Sequence, residues 1–181
     1  MVFVPILLLL LFGWYIYMSF VDWFIHKHIL HNDQSPIMFL RHHHRFHHLY
    51  FDKVIDNYDY GITFDNIEAS VIALFSGLPI LFLGLLFGLK LPYMVYILFI
   101  HVIGVFLGVG IHNQFHTTFH ERTQSDIENT FFVPIPQWLY TLLHTQHLVH
   151  HENPHTNYCI SWLGFDSLVG TQHIIKEDKN D

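Results

Sequence analysis

The chain has 181 residues, enough for one domain, and only 13% of them are charged against 51% hydrophobic and 17% aromatic. A formal net charge of −7, with no basic stripe carrying interleaved aromatics, argues against a nucleic-acid partner. The single cysteine, Cys159, excludes an intramolecular disulfide and any cysteine-based zinc site.

The apolar residues are gathered in blocks. Residues 2–21, 69–89 and 91–111 carry no Asp, Glu, Lys or Arg. Each block is about 20 residues, the length that crosses roughly 30 Å of hydrocarbon as a helix. The expected fold is therefore an all-α integral membrane protein with three transmembrane helices, one followed by a hairpin. The first block has no basic leader and no small-residue cleavage site, and it runs straight into a histidine cluster. It reads as an uncleaved signal-anchor helix.

Taken in chain order, the first helix delivers residues 22–31 to one membrane face, and the polar, histidine-rich stretch 32–68 stays there. Residues 69–89 cross away, Lys90 turns, and 91–111 return to His112. Pro92 suits the first turn of a helix, and Pro79 should kink the second one. Gly84-x3-Gly88 and Gly104-x3-Gly108 are small-residue spacings that let helices approach closely. Residues 131–143, with Pro134, Pro136, Trp138 and Tyr140, are apolar but too short to span. They are expected to form an interfacial or re-entrant segment. Residues 174–181 form a polar tail, leaving 1–173 as one domain whose histidine-rich part caps the helices.

Of eight Lys and Arg residues, only Lys90 falls on the side away from the histidines. The positive-inside rule then makes the histidine face cytoplasmic, in the endoplasmic reticulum if eukaryotic or the inner membrane if bacterial.

The eighteen histidines fall into short blocks: His26-x4-His31, His44-x2-His47-His48, His112-x3-His116 and His147-x2-His150-His151. Neutral imidazole is the commonest nitrogen donor to transition metals. Residues three or four apart share a helix face, so His44, His47 and His48 point one way, as do His147, His150 and His151. His112 and His116 lie one turn apart. His26 and His31, five apart, are not an ideal shared face, so they bind different ions or flank a bend. His28 competes for the His26 role. Ten imidazoles exceed what one ion can use, so the pattern predicts two metals. The Glu-x-x-His pairs of carboxylate-bridged di-iron bundles do not occur. An all-imidazole site suits iron, zinc or copper, and iron is favoured over redox-inert zinc if the protein is an oxidase.

Other histidines carry weaker expectations. His43, His120 and His144 are possible additional ligands or supports, whereas His42, His155 and His173 read as surface. Asp22, one turn before His26, is placed to orient a ligand imidazole. His101 sits mid-span, where an ionisable group is costly and faces a cavity or a partner. It either lines a substrate tunnel or is a neutral histidine bonded between helices.

The order HX4H, HX2HH, HX3H, HX2HH around a membrane hairpin resembles the fatty acid hydroxylase / sterol desaturase superfamily, which includes membrane carotene hydroxylases. The segment His151-ENPHTNYCISWLGFDSLVGT resembles that family's closing motif at Asn157, Tyr158, Asp166, Leu168, Gly170 and Thr171. Cys159, Phe165 and Val169 stand where the family has Gly, Trp and Phe. The likeness covers roughly residues 22–171. It makes Asn157 and Asp166 candidate supports of the site. It implies an enzyme with two irons that uses O2 to hydroxylate a lipid, with desaturation as a variant outcome. No Gly-rich dinucleotide fingerprint is present, so electrons should come from an external carrier of cytochrome b5 or ferredoxin type. The rival class is a non-enzymatic membrane zinc-binding or transport protein.

Overall fold

The computed structural model describes residues 3–50, 64–121, 136–160 and 162–173. The described elements are all helical: α1 (Phe3–Ile25) running into a π-turn (His26–Leu30), α2 (Met38–Tyr50), α3 (Asn66–Leu86), α4 (Leu91–Glu121), α5 (Gln137–Glu152) and α6 (Phe165–Val169). Among the described residues, three stretches are long and apolar enough to cross a membrane: Leu8–Leu30, Asn66–Leu86 and Leu91–His116. The first runs past the expected limit at residue 21. The charge that set that limit, Asp22, is absorbed by the fold, because its Oδ2 accepts the N–H groups of Ile160 (3.0 Å) and Trp162 (3.4 Å).

Local chemistry fixes the ends of the hairpin. Asp65 caps α3 by accepting from Ile67 and Glu68 N–H groups while the Glu68 carboxylate accepts from Asp65 N, a reciprocal capping box. At the far end, Gly88 takes φ +66°, and Leu89 N donates to Gly84 O while Gly88 N donates to Leu85 O. This is a Schellman closure, which needs the left-handed residue that glycine supplies. Helix α4 then runs for 31 residues, about 46 Å at 1.5 Å per residue. It thus crosses and carries His112 and His116 on its final turns.

Met18, Val21, Ile25 and Ile29 recur every three or four residues and form one core with Leu40 of α2, Ile72 and Ala73 of α3, and Val105 of α4. The glycines of the 104–108 pair do not receive another helix backbone. A Cβ on Gly104 would lie 2.6 Å from Trp14 Cζ2, and one on Gly108 would lie 3.0 Å from Trp162 Cζ2. Both positions are slots for tryptophan rings, which meet edge-on with centroids 5.2 Å apart.

A polar stripe on α1 ties down the C-terminal segment. Tyr15 OH donates to Leu163 O, Ser19 Oγ bonds Trp162 O and Phe165 N, and Asp22 takes Ile160 and Trp162 N–H groups. Trp23 Nε1 donates to Thr171 Oγ1, and His26 Nδ1 reaches Tyr158 O. These positions are spaced at helical intervals, so one face of an otherwise apolar helix binds a chain segment about 140 residues away in sequence. Of the expected interfacial segment, residues 131–135 lie outside the described residues, and Gln137–Leu143 form the first turns of α5.

Candidate metal centre

The π-turn brings His26 and His31 together. On an α-helix residues five apart point away from each other, but the wider turn closed by His31 N to His26 O (3.1 Å) returns them to one face. Their rings stack with centroids 5.1 Å apart and planes 16° apart. Of the two expectations, different ions or a bend between them, the structure has the second: the pair brackets the π-turn, and both rings belong to one group.

That group contains His26, His31, His44, His48 and His150, whose donor nitrogens all lie within 4.8 Å of one another. The Nε2 atom of His44 lies 3.0 Å from that of His26, 2.9 Å from that of His31 and 3.0 Å from that of His48. His150 Nε2 lies 3.1 Å from His31 Nε2 and 3.2 Å from His48 Nε2. One ring nitrogen carries at most one proton, so three nitrogens around His44 Nε2 cannot all be hydrogen-bonded to it. A shared cation resolves the convergence. Metal–imidazole bonds of about 2.1 Å place donors about 3.0 Å apart at right angles and about 3.4 Å apart in a tetrahedron. The observed separations fit the right-angle arrangement.

Two backbone carbonyls prepare this group. His26 Nδ1 donates to Tyr158 O (2.6 Å), and His150 Nδ1 donates to Thr156 O (2.7 Å). A carbonyl only accepts, so each Nδ1 carries the hydrogen and each Nε2 offers its lone pair. Between the two carbonyls sits Asn157, at φ 51° and 1% exposed. Its side chain bonds Gln146 O and both the N–H and C=O of His173. The left-handed kink at Asn157 thus aims the carbonyls on either side of it at two histidines of the group. Burial, then the neighbouring His150, lowers the His31 pKa to about 3. Burial lowers that of His150 to about 4 against the opposing Thr156 hydrogen bond, and His44 is pushed down for the same first reason. These three imidazoles are neutral at pH 7, as metal ligands must be.

A second group holds His47, His116, His147 and His151, again within 4.8 Å. His151 Nε2 lies 3.0 Å from both His47 Nε2 and His147 Nε2. The two groups are neighbours, since the His48 and His151 rings stand 4.4 Å apart. Nine of the ten imidazoles expected to bind metal fall in these groups. His112 falls in neither; it is buried beside His116 (5.1 Å between rings) and against Phe64 (5.0 Å).

The remaining expectations separate cleanly. His28 is exposed and packs on Trp23 and Phe24, so it does not replace His26. His43 pairs through Nδ1 with the buried Glu68 carboxylate. His144 lies between Phe119 and Tyr140, where burial lowers its pKa. The side chain of His120 lies outside the described residues. His42, His155 and His173 are exposed. Asp22 bonds loop backbone, and Asp166 closes the same loop by accepting from Cys159 N (2.6 Å) and Thr171 Oγ1 (2.5 Å). His101 lies between helices, 2.8 Å from Ser76 Oγ. Sequence reasoning missed Glu68 and the Thr156 and Tyr158 carbonyls. Only Glu68 left a signal, as the fourth residue of Asp65-x-x-Glu68, a helix-start pattern.

A cavity joins the apolar core to both groups. Its walls include Met18, Ile25, Ile72 and Val105, and it ends on His26 and His44 of the first group and His116 of the second. No family model matches the sequence, and no curated protein or solved structure shows significant similarity to it.

Proposed function

We propose that this protein is a membrane oxygenase of the fatty acid hydroxylase / sterol desaturase type, which converts a C–H bond of a hydrophobic substrate to C–OH. The substrate class is a fatty acyl, sterol or carotenoid molecule entering from the bilayer. The observation that carries this reading is the cavity, whose walls are apolar core residues and whose floor is formed by histidines of both groups. A substrate carbon there lies beside two ion sites at once, screened from bulk water by Ile25, Ile72 and Val105.

The reaction balances with one O2, two electrons and two protons, giving the hydroxylated product and one water. Two bound irons would supply the redox chemistry; zinc on the same donors has none. The five histidine nitrogens of the first group would hold one of these ions. The protein's own part is to keep Nε2 lone pairs directed inward, through the Tyr158 and Thr156 carbonyls, and to hold the substrate chain between α1, α3 and α4. The electrons come from a separate carrier of cytochrome b5 or ferredoxin type. The histidine end faces the cytoplasm, as the Lys and Arg distribution argues. Removal of a second hydrogen in place of oxygen insertion would make the same centre a desaturase.

The test is metal analysis of the purified chain with oxygen uptake on added lipid, joined to lipid profiling of expressing cells against a His147→Ala control. Two irons per chain, lipid-dependent oxygen uptake and a hydroxylated lipid absent from the control are expected. Tightly held zinc, no oxygen uptake and zinc movement into vesicles would instead establish a metal carrier.

A further inference from the structure

One helical turn beyond the cavity, on each of three helices, a polar residue follows an apolar wall residue. Val105 is succeeded by His101, Ile72 by Ser76, and Met18 by Trp14, with Tyr17 next to Met18 in the chain. His101 is 2% exposed and Ser76 3% exposed, so this layer is buried in the middle of the helices.

Its protons can be assigned. Ser76 Oγ donates to Ile72 O (2.7 Å), as helical serines commonly do, so its one hydrogen is committed. The 2.8 Å contact with His101 must then run from His101 Nε2–H to Ser76 Oγ. His101 is thereby held with a bare Nδ1. That atom is buried and has no hydrogen-bond partner among the described residues. Tyr17 cannot serve it, because its hydroxyl donates to Ser76 O while its ring lies 6.1 Å from the imidazole. A buried acceptor left without a donor in an apolar span is expensive, and such residues mark ligand paths.

We propose that His101 Nδ1 receives an O–H group of the substrate, so the cavity takes an elongated hydrophobic molecule bearing a hydroxyl at the end remote from the metal groups. This rests on the oxygenase reading for the identity of the cavity as a lipid site. Met18, Ile72 and Val105 line the cavity one turn from this layer, and the unbranched thioether side chain of Met18 can swing aside without a backbone change. His101 lies 15 residues before His116, the metal-group histidine on the same helix, about 22 Å at 1.5 Å per residue. The hydroxyl and the attacked carbon are therefore separated by at most about that distance. An occupant with an apolar end would leave Nδ1 unmet, so the layer selects for the donor.

The experiment uses the full chain, metal-loaded in detergent micelles, with radiolabelled 1-hexadecanol as probe. Unlabelled 1-hexadecanol and its methyl ether compete; the ether has the same chain and oxygen but cannot donate. The alcohol is expected to compete about tenfold better in the wild type, and equally with the ether in His101→Phe, with metal content unchanged. His101→Leu, smaller than the ring it replaces, carries the same expectation should the bulkier variant fail to fold. Equal competition in the wild type would mean that Nδ1 meets water or nothing, and the proposal fails. A preference that survives in the variants would place hydroxyl recognition at the metal end and also overturn it. Binding is read without turnover. A chain that selects the alcohol through His101 yet consumes no oxygen would refute the oxygenase reading alone.

Discussion

His26 and His31 stack face to face, 16° from parallel, because a single π-turn separates them. This pairing decides which of the three histidines in residues 26–31 hold metal. His31→Ala is expected to drop metal content towards one ion per chain after dialysis against a chelator. His28→Ala, altering an exposed ring, should keep two. Metal analysis of both variants checks the contrast, and loss in His28→Ala would mean that the π-turn pair has been misassigned.

Asn157 combines a left-handed backbone with three buried side-chain hydrogen bonds. Asn157→Ala loses the bonds and must still adopt φ 51°, at an expected cost of about 2–4 kcal/mol. Asn157→Gly loses the bonds but not the backbone freedom, and should be the milder change. Thermal unfolding in detergent ranks the two. Since this residue aims the carbonyls of Thr156 and Tyr158, both variants should also weaken the first metal group before the second.

Gly104 has no room for a side chain, with the Trp14 ring 2.6 Å from the position of a Cβ. Gly104→Leu should displace Trp14 and destabilise the fold by about 1–3 kcal/mol through overpacking. Gly110, whose Cβ would meet nothing within 4 Å, provides the control: Gly110→Leu should leave unfolding by denaturant unchanged or slightly improved.

The metal-free protein should be acid-sensitive in a defined window. His31 and His150 titrate at about 3 and about 4 when folded, against about 6.5 for an unfolded histidine. Between these limits the unfolded chain binds more protons, so stability falls as pH drops below about 6.5 and levels off near the folded values. Above pH 6.5 both states are neutral and the two groups contribute no slope. Denaturation midpoints of the chelator-treated chain from pH 4 to 8 test the sign; a midpoint that rises on acidification contradicts it.

Much of the architecture was legible because hydrocarbon length and helical periodicity are local signals. The three spans, the hairpin turn at Lys90 and the histidines of α2 and α5 follow from spacing alone. The site was less legible wherever position depends on packing. Five-residue spacing between His26 and His31 has no fixed meaning until the turn type is known. His112, one turn from His116 by sequence, is drawn aside against Phe64, a residue pinned by both Asn113 side-chain bonds to its backbone. The four-residue spacing of Gly104 and Gly108 suggests helix contact, yet tryptophans from α1 and the C-terminal segment fill both slots. Asp22 and Asp166 are near the ligands, but the groups they serve are backbone N–H donors more than a hundred and only seven residues away, respectively. No local rule reports such partners.

The two histidine groups are interleaved along the same helices: α2 sends His44 and His48 to one and His47 to the other, while α5 sends His150 to one and His147 and His151 to the other. Adjacent residues on a stiff rod cannot move independently. A tilt or slide of either rod therefore carries histidines of both groups along, so the spacing of the two groups behaves like the marks on a ruler.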